Sequence, residues 1–228
     1  MEAPRVVIAI DGPAGAGKST VSKMLSQRLG LQYLDTGAMY RCLALEALKA
    51  GMTTSQGSEA AALLDSVKIE FGIGDPQPVF VNGRDVTKEI RTPEVAQAAS
   101  DFSKHTPVRQ KMVELQQALV AHGGVILEGR DVTTVVAPNA TLKIYLTASL
   151  EERAKRRQGE FAAKGQSSSF QDVRSQIENR DHQDISRDDS PLKVADDAVV
   201  VETAEHSAEE VCDIIVGHLQ RAIDPLDG

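Results

Sequence analysis

The segment from Gly12 to Thr20 constrains the fold of this chain more than any other. It reads Gly-Pro-Ala-Gly-Ala-Gly-Lys-Ser-Thr and fits the pattern G-x-x-x-x-G-K-[ST]. The apolar run Val6–Ile10 precedes it, and a helical pattern of apolar residues follows it from Val21 to Leu29. Glycines let the backbone curl so that successive N–H groups point inward, and the helix N-terminus adds the positive end of its dipole. The motif therefore predicts a strand, a phosphate-binding loop and a helix that bind a nucleoside triphosphate.

Within this loop the side chains have separate predicted roles. Lys18 is expected to reach the β- and γ-phosphates, and the Ser19 hydroxyl is expected to ligate Mg²⁺, partly through water. Thr20 is adjacent, so the pattern leaves open which hydroxyl touches the metal. The predicted triphosphate-binding residues of the loop are Gly12, Pro13, Ala14, Gly15, Ala16, Gly17, Lys18, Ser19 and Thr20.

Composition limits the partners of the chain. Its 228 residues carry a net charge of -8, so no general basic field recruits nucleic acid. Aromatic residues make up 4% and Trp is absent, which leaves few platforms for stacking bases. No apolar stretch approaches the length of a membrane span, and the first strand begins too early to leave room for a signal peptide. We expect a cytoplasmic monomer without nucleic-acid or membrane partners.

Five apolar, β-branched runs predict buried parallel strands separated by helices. They are Val6–Ile10, Leu31–Leu34, Val125–Leu127, Leu142–Leu146 and Ala198–Val201. The alternation favours an α/β fold, a doubly wound parallel five-stranded sheet with helices on both faces, of the P-loop NTPase type.

Helix starts are also visible in the sequence. Ser207 with Glu210 fits a capping box. Thr92 and Thr106 each precede a proline, which a helix tolerates in its first turn. We therefore expect these three residues to be N-caps.

The stretch from Val67 to Val86 breaks the strand–helix rhythm. Val67, Ile69 and Phe71 alternate with polar residues, and Val79–Val81 is followed by Asn82-Gly83. Alternation that ends in Asn-Gly is a strong hairpin signal. We expect a small antiparallel sheet in an inserted subdomain over residues 52–92, with the nucleotide-binding core formed by residues 1–51 and 93–228.

Residues 158–171 are polar and rich in small side chains, and Arg153, Arg156 and Arg157 precede them. A solvent loop is one interpretation, and a mobile lid hinged on two helices is the other. We favour the lid because basic residues stand next to it.

Polar clusters follow two of the predicted strands and continue on a later helix. Thr36, Tyr40 and Arg41 come after the second strand, where two hydroxyls and a guanidinium suit a phosphate. Glu128, Arg130 and Asp131 come after the third strand, and Glu128 is a weak candidate to hold Mg²⁺ through water. Arg180, Asp184 and Arg187 are spaced to share one helical face. Core packing of Tyr40 and ordinary surface ion pairs are the alternative interpretations.

Together the motifs Gly-Pro-Ala-Gly-Ala-Gly-Lys-Ser-Thr, Asp-Thr-Gly-Ala-Met-Tyr-Arg, Glu-Gly-Arg-Asp and Arg-Asp-x-x-Asp-x-x-Arg resemble those of bacterial cytidylate kinases, a branch of the nucleoside monophosphate kinases. The resemblance covers nearly the whole chain. It implies transfer of the γ-phosphoryl group of ATP to CMP or dCMP with Mg²⁺, in pyrimidine nucleotide metabolism. Relatives often have Gly-Thr after the lysine, where this chain has Ser19-Thr20.

The resemblance also implies roles for individual residues. ATP would meet the loop, Arg156 and Arg157, and the lid would fold over it. The residues implied to bind the acceptor phosphate are Thr36, Tyr40, Arg41, Arg130, Arg180 and Arg187. Ser100, Arg109 and Asp131 are implied to bind cytosine, and Asp184 to approach the ribose. Lys18, Arg130, Arg180 and Arg187 are the implied catalytic residues.

Other classes of function remain open at this point. A P-loop kinase for another small acceptor fits the loop, although several arginines favour an anionic one. A GTPase-like switch is disfavoured because the Asn-Lys-x-Asp run that reads guanine does not occur. A nucleic-acid-dependent motor fits poorly with the acidic charge balance.

Overall fold

A computed structural model of the protein describes residues 6–163 and 165–224. Strands and helices alternate through most of this range, with short single turns at Leu64–Ser66, Glu89–Arg91 and Val132–Val136. The strands are β1 (Val7–Asp11), β2 (Gln32–Asp35), β3 (Ile69–Phe71), β4 (Val79–Val81), β5 (Arg84–Asp85), β6 (Val125–Glu128), β7 (Leu142–Thr147) and β8 (Val199–Glu202). The helices are α1 (Lys18–Leu29), α2 (Thr36–Lys49), α3 (Gly57–Leu63), α4 (Pro93–Phe102), α5 (Thr106–Val120), α6 (Leu150–Ala163), α7 (Phe170–Ser186) and α8 (Ala208–Ile223).

The larger sheet has five parallel strands in the order β2-β6-β1-β7-β8, which confirms the predicted fold class. Strand β1 is central, because Ile8 pairs with Ile126 of β6 on one side and Leu142 of β7 on the other. Each of the five predicted strands is present, displaced by about one residue. The apolar runs made this possible, since strands buried on both faces are nearly continuous in Val, Ile and Leu.

The chain divides into two compact units. Of the described residues, the first comprises 6–33, 122–163 and 165–224, and its core of strand and helix side chains centres on Ile8, Leu25, Ile144 and Ile215. The sheet presents the carboxyl ends of β1 and β6 next to each other, because Ile10 lies opposite Glu128. In such sheets the ligand crevice lies beyond these ends.

The second unit comprises residues 34–121 and has its own apolar core. A three-stranded antiparallel sheet, β3-β4-β5, confirms the predicted hairpin. Its turn uses Asn82 at φ 50° and Gly83 at φ 78°, the left-handed conformations that a tight hairpin turn needs. This unit extends beyond the predicted segment 52–92 at both ends. The reason is that α2, α4 and α5 share one apolar cluster with the small sheet, with Leu43, Phe102 and Met112 fully buried.

Two of the three predicted helix starts are confirmed. Ser207 accepts a hydrogen bond from the Glu210 N–H and Glu210 returns one to the Ser207 N–H, and Thr92 accepts one from the Val95 N–H. The assignment of Thr106 as an N-cap was wrong. Helix α5 already includes Thr106, and His105 is the capping residue, without a side-chain hydrogen bond to the helix.

The segment 158–171 contains more helix than its composition suggested. Helix α6 runs to Ala163 and α7 begins at Phe170, so the described non-helical part is residues 165–169. Ser169 caps α7 by accepting a hydrogen bond from the Asp172 N–H. Helix α6 continues through Gly159 because good helix formers surround this glycine. A side chain at this position would meet only open space. That this segment acts as a lid stays a prediction.

Candidate active site

The predicted phosphate-binding loop lies between β1 and α1. Its glycines adopt the left-handed region, with φ of 151° at Gly12, 78° at Gly15 and 90° at Gly17. Gly17 is the N-cap of α1, so the loop ends at a helix N-terminus, where backbone N–H groups and the helix dipole favour an anion. The sequence context on which the motif depends is therefore present.

Lys18 is folded back onto this loop. Its Nζ donates to the carbonyl oxygens of Gly12 and Pro13, both at 2.7 Å, and the residue is only 6% exposed. Burial lowers the pKa of Lys18 to about 7, and repulsion from Arg130 and Arg180 adds to this effect. Arg130 and Arg180 therefore place further positive charge near this ammonium group, and an incoming polyanion would favour its charged form.

The donors predicted for Mg²⁺ are Ser19 and Glu128. Ser19 is exposed in the first turn of α1, and Glu128 is buried at the end of β6, where it accepts a short hydrogen bond from the Tyr33 hydroxyl. A hydroxyl and a carboxylate are oxygen donors of the kind that Mg²⁺ prefers, with water and substrate phosphates completing its shell. The donor set therefore fits this ion.

Asp11 is a site residue that the sequence reasoning missed. It is fully buried at the end of β1, and its carboxylate accepts from the Val132 N–H at 3.0 Å, the Thr133 N–H at 2.7 Å and the Thr133 hydroxyl at 2.6 Å. Burial raises the pKa of Asp11 to about 6 despite these hydrogen bonds. By holding this turn Asp11 also fixes Asp131, the preceding residue. The available signal was an acidic residue directly between an apolar strand and the loop.

Arg130, Asp184 and Arg187 come together in the first unit. Asp184 accepts from Nε of Arg130 at 2.8 Å and from Nη1 of Arg187 at 3.4 Å. Burial alone would raise the pKa of Asp184, but Arg130, Arg180 and Arg187 hold it below its usual value. The prediction that Arg187 shares a helical face was wrong in detail, because α7 ends at Ser186 and Arg187 has an extended backbone. It still reaches Asp184 from that position.

Arg153 and Asp181 form a second buried pair. Arg153 donates to Asp181 and to the carbonyl oxygens of Ala148 and Ala14, both at 3.0 Å. Asp181 accepts from the Ala14 N–H at 3.1 Å. These contacts connect α6 and α7 directly to the phosphate-binding loop.

The two arginines predicted to meet ATP have different surroundings. Arg156 donates to the hydroxyl of Thr203 at 2.8 Å and to its carbonyl oxygen at 2.5 Å, and a side chain at Gly17 would lie 3.9 Å from its Nη1. Arg157 is exposed, pairs with Glu160 at 2.7 Å and stacks on Phe161 at 4.7 Å. Arg156 therefore lies beside the loop, whereas Arg157 makes surface contacts along α6.

The second unit brings together several of the residues assigned to the acceptor. Asp35 caps α2 by accepting from the Ala38 N–H at 2.9 Å and pairs with Arg41 at 2.8 Å. Arg109 is 2% exposed and lies over the Tyr40 ring at 5.8 Å. The other two residues of the set in this unit are buried Thr36 in α2 and half-buried Ser100 in α4.

A parallel α/β sheet whose central strand enters a glycine-rich loop with a buried lysine defines this chain as a P-loop nucleotide-binding protein. A family model described as cytidylate kinase matches residues 8–221. The chain belongs to the cytidylate kinase family.

Two similar relatives show how much of the chain this assignment covers. A cytidylate kinase of Caldicellulosiruptor bescii is 47% identical over 208 residues, 91% of this chain and 92% of the relative. One of Bacillus cytotoxicus is 46% identical over 220 residues, 96% of this chain and 98% of the relative. A gluconokinase structure from Sinorhizobium meliloti aligns with a TM-score of 0.50 at 12% identity, covering 95% of this chain and 93% of its own, and shows the fold alone.

Proposed function

We propose that this protein transfers the γ-phosphoryl group of ATP to CMP or dCMP, giving ADP and CDP or dCDP. One observation carries the proposal. The first unit combines a glycine-rich loop that holds Lys18 with an ion-paired cluster of Arg130, Asp184 and Arg187. Arg130 is near enough to Lys18 to lower the pKa of its ammonium group. A site with so much positive charge suits two polyanions that must meet.

The chemistry of the transfer needs no general base. The second pKa of a phosphate monoester is about 6, so the CMP phosphate is largely dianionic at neutral pH and its oxygen is already a nucleophile. That oxygen attacks the γ-phosphorus, and the bond to the β–γ bridging oxygen breaks so that the electron pair leaves with ADP. Lys18 and the arginines supply alignment and neutralise charge as it shifts.

Mg²⁺ would be held by Ser19 and, through water, by Glu128. When bound it neutralises negative charge on the phosphate oxygens. The hydrogen bond from Tyr33 orients the Glu128 carboxylate for this task.

The acceptor-binding roles follow the family pattern. We assign the CMP phosphate to Thr36, Tyr40, Arg41, Arg130, Arg180 and Arg187. Ser100, Arg109 and Asp131 are assigned to the base, and Asp184 to the ribose. Cytosine has an N4 amino donor that the Asp131 carboxylate accepts, whereas uracil presents an acceptor oxygen at that place.

We further propose that the segment 158–171 closes over bound nucleotides. Exclusion of water is needed because an open site would hydrolyse ATP. Basic Arg156 and Arg157 on α6 support this role, since they could follow the triphosphate as the segment moves.

We also place the reaction in the cytoplasm and propose that the protein works as a monomer. In residues 6–163 and 165–224 no helix is both long and apolar enough to span a membrane. Light scattering coupled to size exclusion tests the oligomeric state.

A coupled assay of ADP release tests the proposed activity. ATP is supplied with CMP, dCMP, UMP, AMP, GMP or small alcohols in turn, and with no acceptor. Rapid turnover with CMP and dCMP and almost none without acceptor is expected. Faster turnover with another acceptor would identify a different kinase, and a stable GTP complex with negligible turnover would identify a nucleotide switch.

A further inference from the structure

The Arg153–Asp181 pair controls the backbone at the middle of the phosphate-binding loop. Arg153 is 7% exposed and Asp181 9%, so both charges are shielded from water and bind mainly each other and the backbone. Nε of Arg153 is fixed on the carbonyl oxygen of Ala148, the residue after β7, at 3.0 Å. The pair is therefore anchored to the sheet and not only to the two helices that carry it.

Two consecutive peptide groups of the loop are held by this pair. The peptide between Pro13 and Ala14 gives its N–H to Asp181, and the peptide between Ala14 and Gly15 gives its carbonyl oxygen to Arg153. In a planar trans peptide the N–H and C=O bonds point in opposite directions. Hence the Pro13 carbonyl points away from Asp181, and the Gly15 N–H points away from Arg153.

The Pro13 carbonyl oxygen lies on the side of the loop that faces Lys18. It is one of the two oxygens that receive Nζ of Lys18, so the side of the loop opposite the pair is the side of the reactive lysine. The Gly15 N–H is turned away from α6, as a donor to phosphate must be. Close packing reinforces this geometry, because a Cβ on Gly15 would lie 3.1 Å from the Cβ of Arg153.

We propose that Arg153 and Asp181 are positioning residues for the phosphates of ATP. They fix the peptide planes on both sides of Ala14, so that the loop is held in its phosphate-binding conformation before ATP arrives. The proposal rests on the proposed function, in which this loop binds ATP. Neither residue is assigned a contact with either nucleotide.

Separate binding measurements test the pair. Dissociation constants of ATP and of CMP are measured by calorimetry for the wild type, Arg153→Met and Asp181→Asn, each at a temperature where circular dichroism shows a fully folded chain. We expect the dissociation constant of ATP to rise about tenfold or more and that of CMP to change less than about twofold, because a misplaced loop affects the nucleotide bound there. KM for ATP should rise with it.

Arg174→Met is the matched control. Arg174 also joins α6 and α7, pairing with Glu151 at 3.3 Å, but it is partly exposed and touches no loop residue in the contacts described. Its removal should leave both dissociation constants unchanged. A loss of ATP affinity in this control equal to that in the pair variants would overturn the proposal, since any loosening of α6 and α7 would then suffice.

Arg153→Lys separates positioning from stability. Lysine keeps the positive charge opposite Asp181. It lacks the planar guanidinium group whose several N–H donors reach the carbonyl oxygens of Ala148 and Ala14 at once. It should therefore recover much of the thermal stability lost in Arg153→Met while leaving ATP affinity low. This variant also serves if Asp181→Asn does not fold.

Three outcomes count against the idea in different ways. Unchanged ATP affinity in the folded variants overturns it, and so does an equal loss of ATP and CMP affinity. A wild type that binds no ATP would contradict the proposed function as well, whereas a wild type that binds ATP leaves that function standing whatever the variants do.

Discussion

Lys18 is held by two carbonyl oxygens of its own loop while its pKa lies near neutrality. Bound triphosphate favours the ammonium form, so binding above pH 7 must be accompanied by proton uptake. Because burial lowers the pKa of Lys18, part of the free protein carries neutral Lys18 at pH 8. We expect net proton uptake on ATP binding there, and ATP affinity that falls with rising pH above 7.

Calorimetry in buffers of different ionisation enthalpy measures that proton. Lys18→Arg provides the reference, because arginine stays charged at this pH and takes up none. Subtracting the variant from the wild type removes any contribution of the nucleotide itself. Equal proton uptake in both proteins would contradict the lowered pKa of Lys18.

Asp131 is the residue assigned to select cytosine. The Asp131→Asn variant has an amide side chain, which can form a hydrogen bond with either an amino group or a carbonyl oxygen. A mismatched buried polar group costs about 1–3 kcal/mol, so the preference for CMP over UMP in kcat/KM should shrink by roughly tenfold or more. Steady-state assays with both nucleotides measure this, and Asp197→Asn, an exposed carboxylate paired with Lys143, is the control.

Most of the residues assigned to substrates follow from local motifs, whereas the residues that hold the backbone do not. Lys18, Arg130 and Asp184 follow from motifs, whereas Asp11 and Asp181 act on backbone groups 121 and 167 residues away in the sequence. A local pattern cannot show such a distant partner. Ser100 and Arg109 came only from the family resemblance, because no motif in their neighbourhood distinguishes them.

At the scale of elements, the junction of β1 and the loop depends on one glycine. A Cβ on Gly12 would lie 2.1 Å from the carbonyl oxygen of Leu146 in β7, at a φ of 151°. Gly12→Ala must therefore push β7 away or distort the loop. We expect a loss of about 1–3 kcal/mol in the free energy of unfolding, typical of overpacking, together with weaker ATP binding.

Urea unfolding followed by circular dichroism measures this loss. Gly159→Ala is a matched control within α6, since nothing lies within 4 Å of its new methyl group. This control should gain about 0.5–1 kcal/mol, because alanine favours the helix more than glycine does. Equal stability of the two variants would show that the Leu146 contact does not constrain the strand.

Elements with a strong periodicity were predicted well and their ends less well. The buried strands lie within a residue of their predicted bounds, because apolar runs define them. The break between α6 and α7 was predicted too wide, since composition alone does not show that Ala162 and Ala163 continue a helix. Thr106 was misplaced by one residue because Thr-Pro marks a helix start only approximately.

On the scale of the whole molecule, two apolar cores divide the chain at residues 33 and 121. The five-stranded sheet could be predicted from the sequence, but the extent of the second unit could not. Its core joins Leu43 of α2, Val79 of β4 and Met112 of α5, contacts between segments far apart in the chain. The local signals within it, such as the hairpin and the Thr92 cap, do not show which segments share one core.

Hydrogen exchange separates the residues assigned to ATP from the acceptor residues of the second unit. A non-hydrolysable ATP analogue alone should slow exchange in the loop, α6 and α7 of the first unit and leave α2, α4 and α5 of the second unchanged. CMP should slow exchange at the start of α2, in α4 and α5, and in the part of α7 that carries Arg180 and Asp184. Equal protection of both units by the ATP analogue alone would contradict the assignment of Thr36, Tyr40, Ser100 and Arg109 to the acceptor.

The bridge from Asp184 to Arg130 and Arg187 has a consequence for turnover. A carboxylate of the protein already pairs with these two guanidinium groups, so a phosphate bound as proposed would displace Asp184 from them. The same exchange runs in reverse after transfer, when Asp184 can reclaim both partners as the diphosphate departs. Under the proposed assignments, this competition would weaken retention of the diphosphate and favour its release.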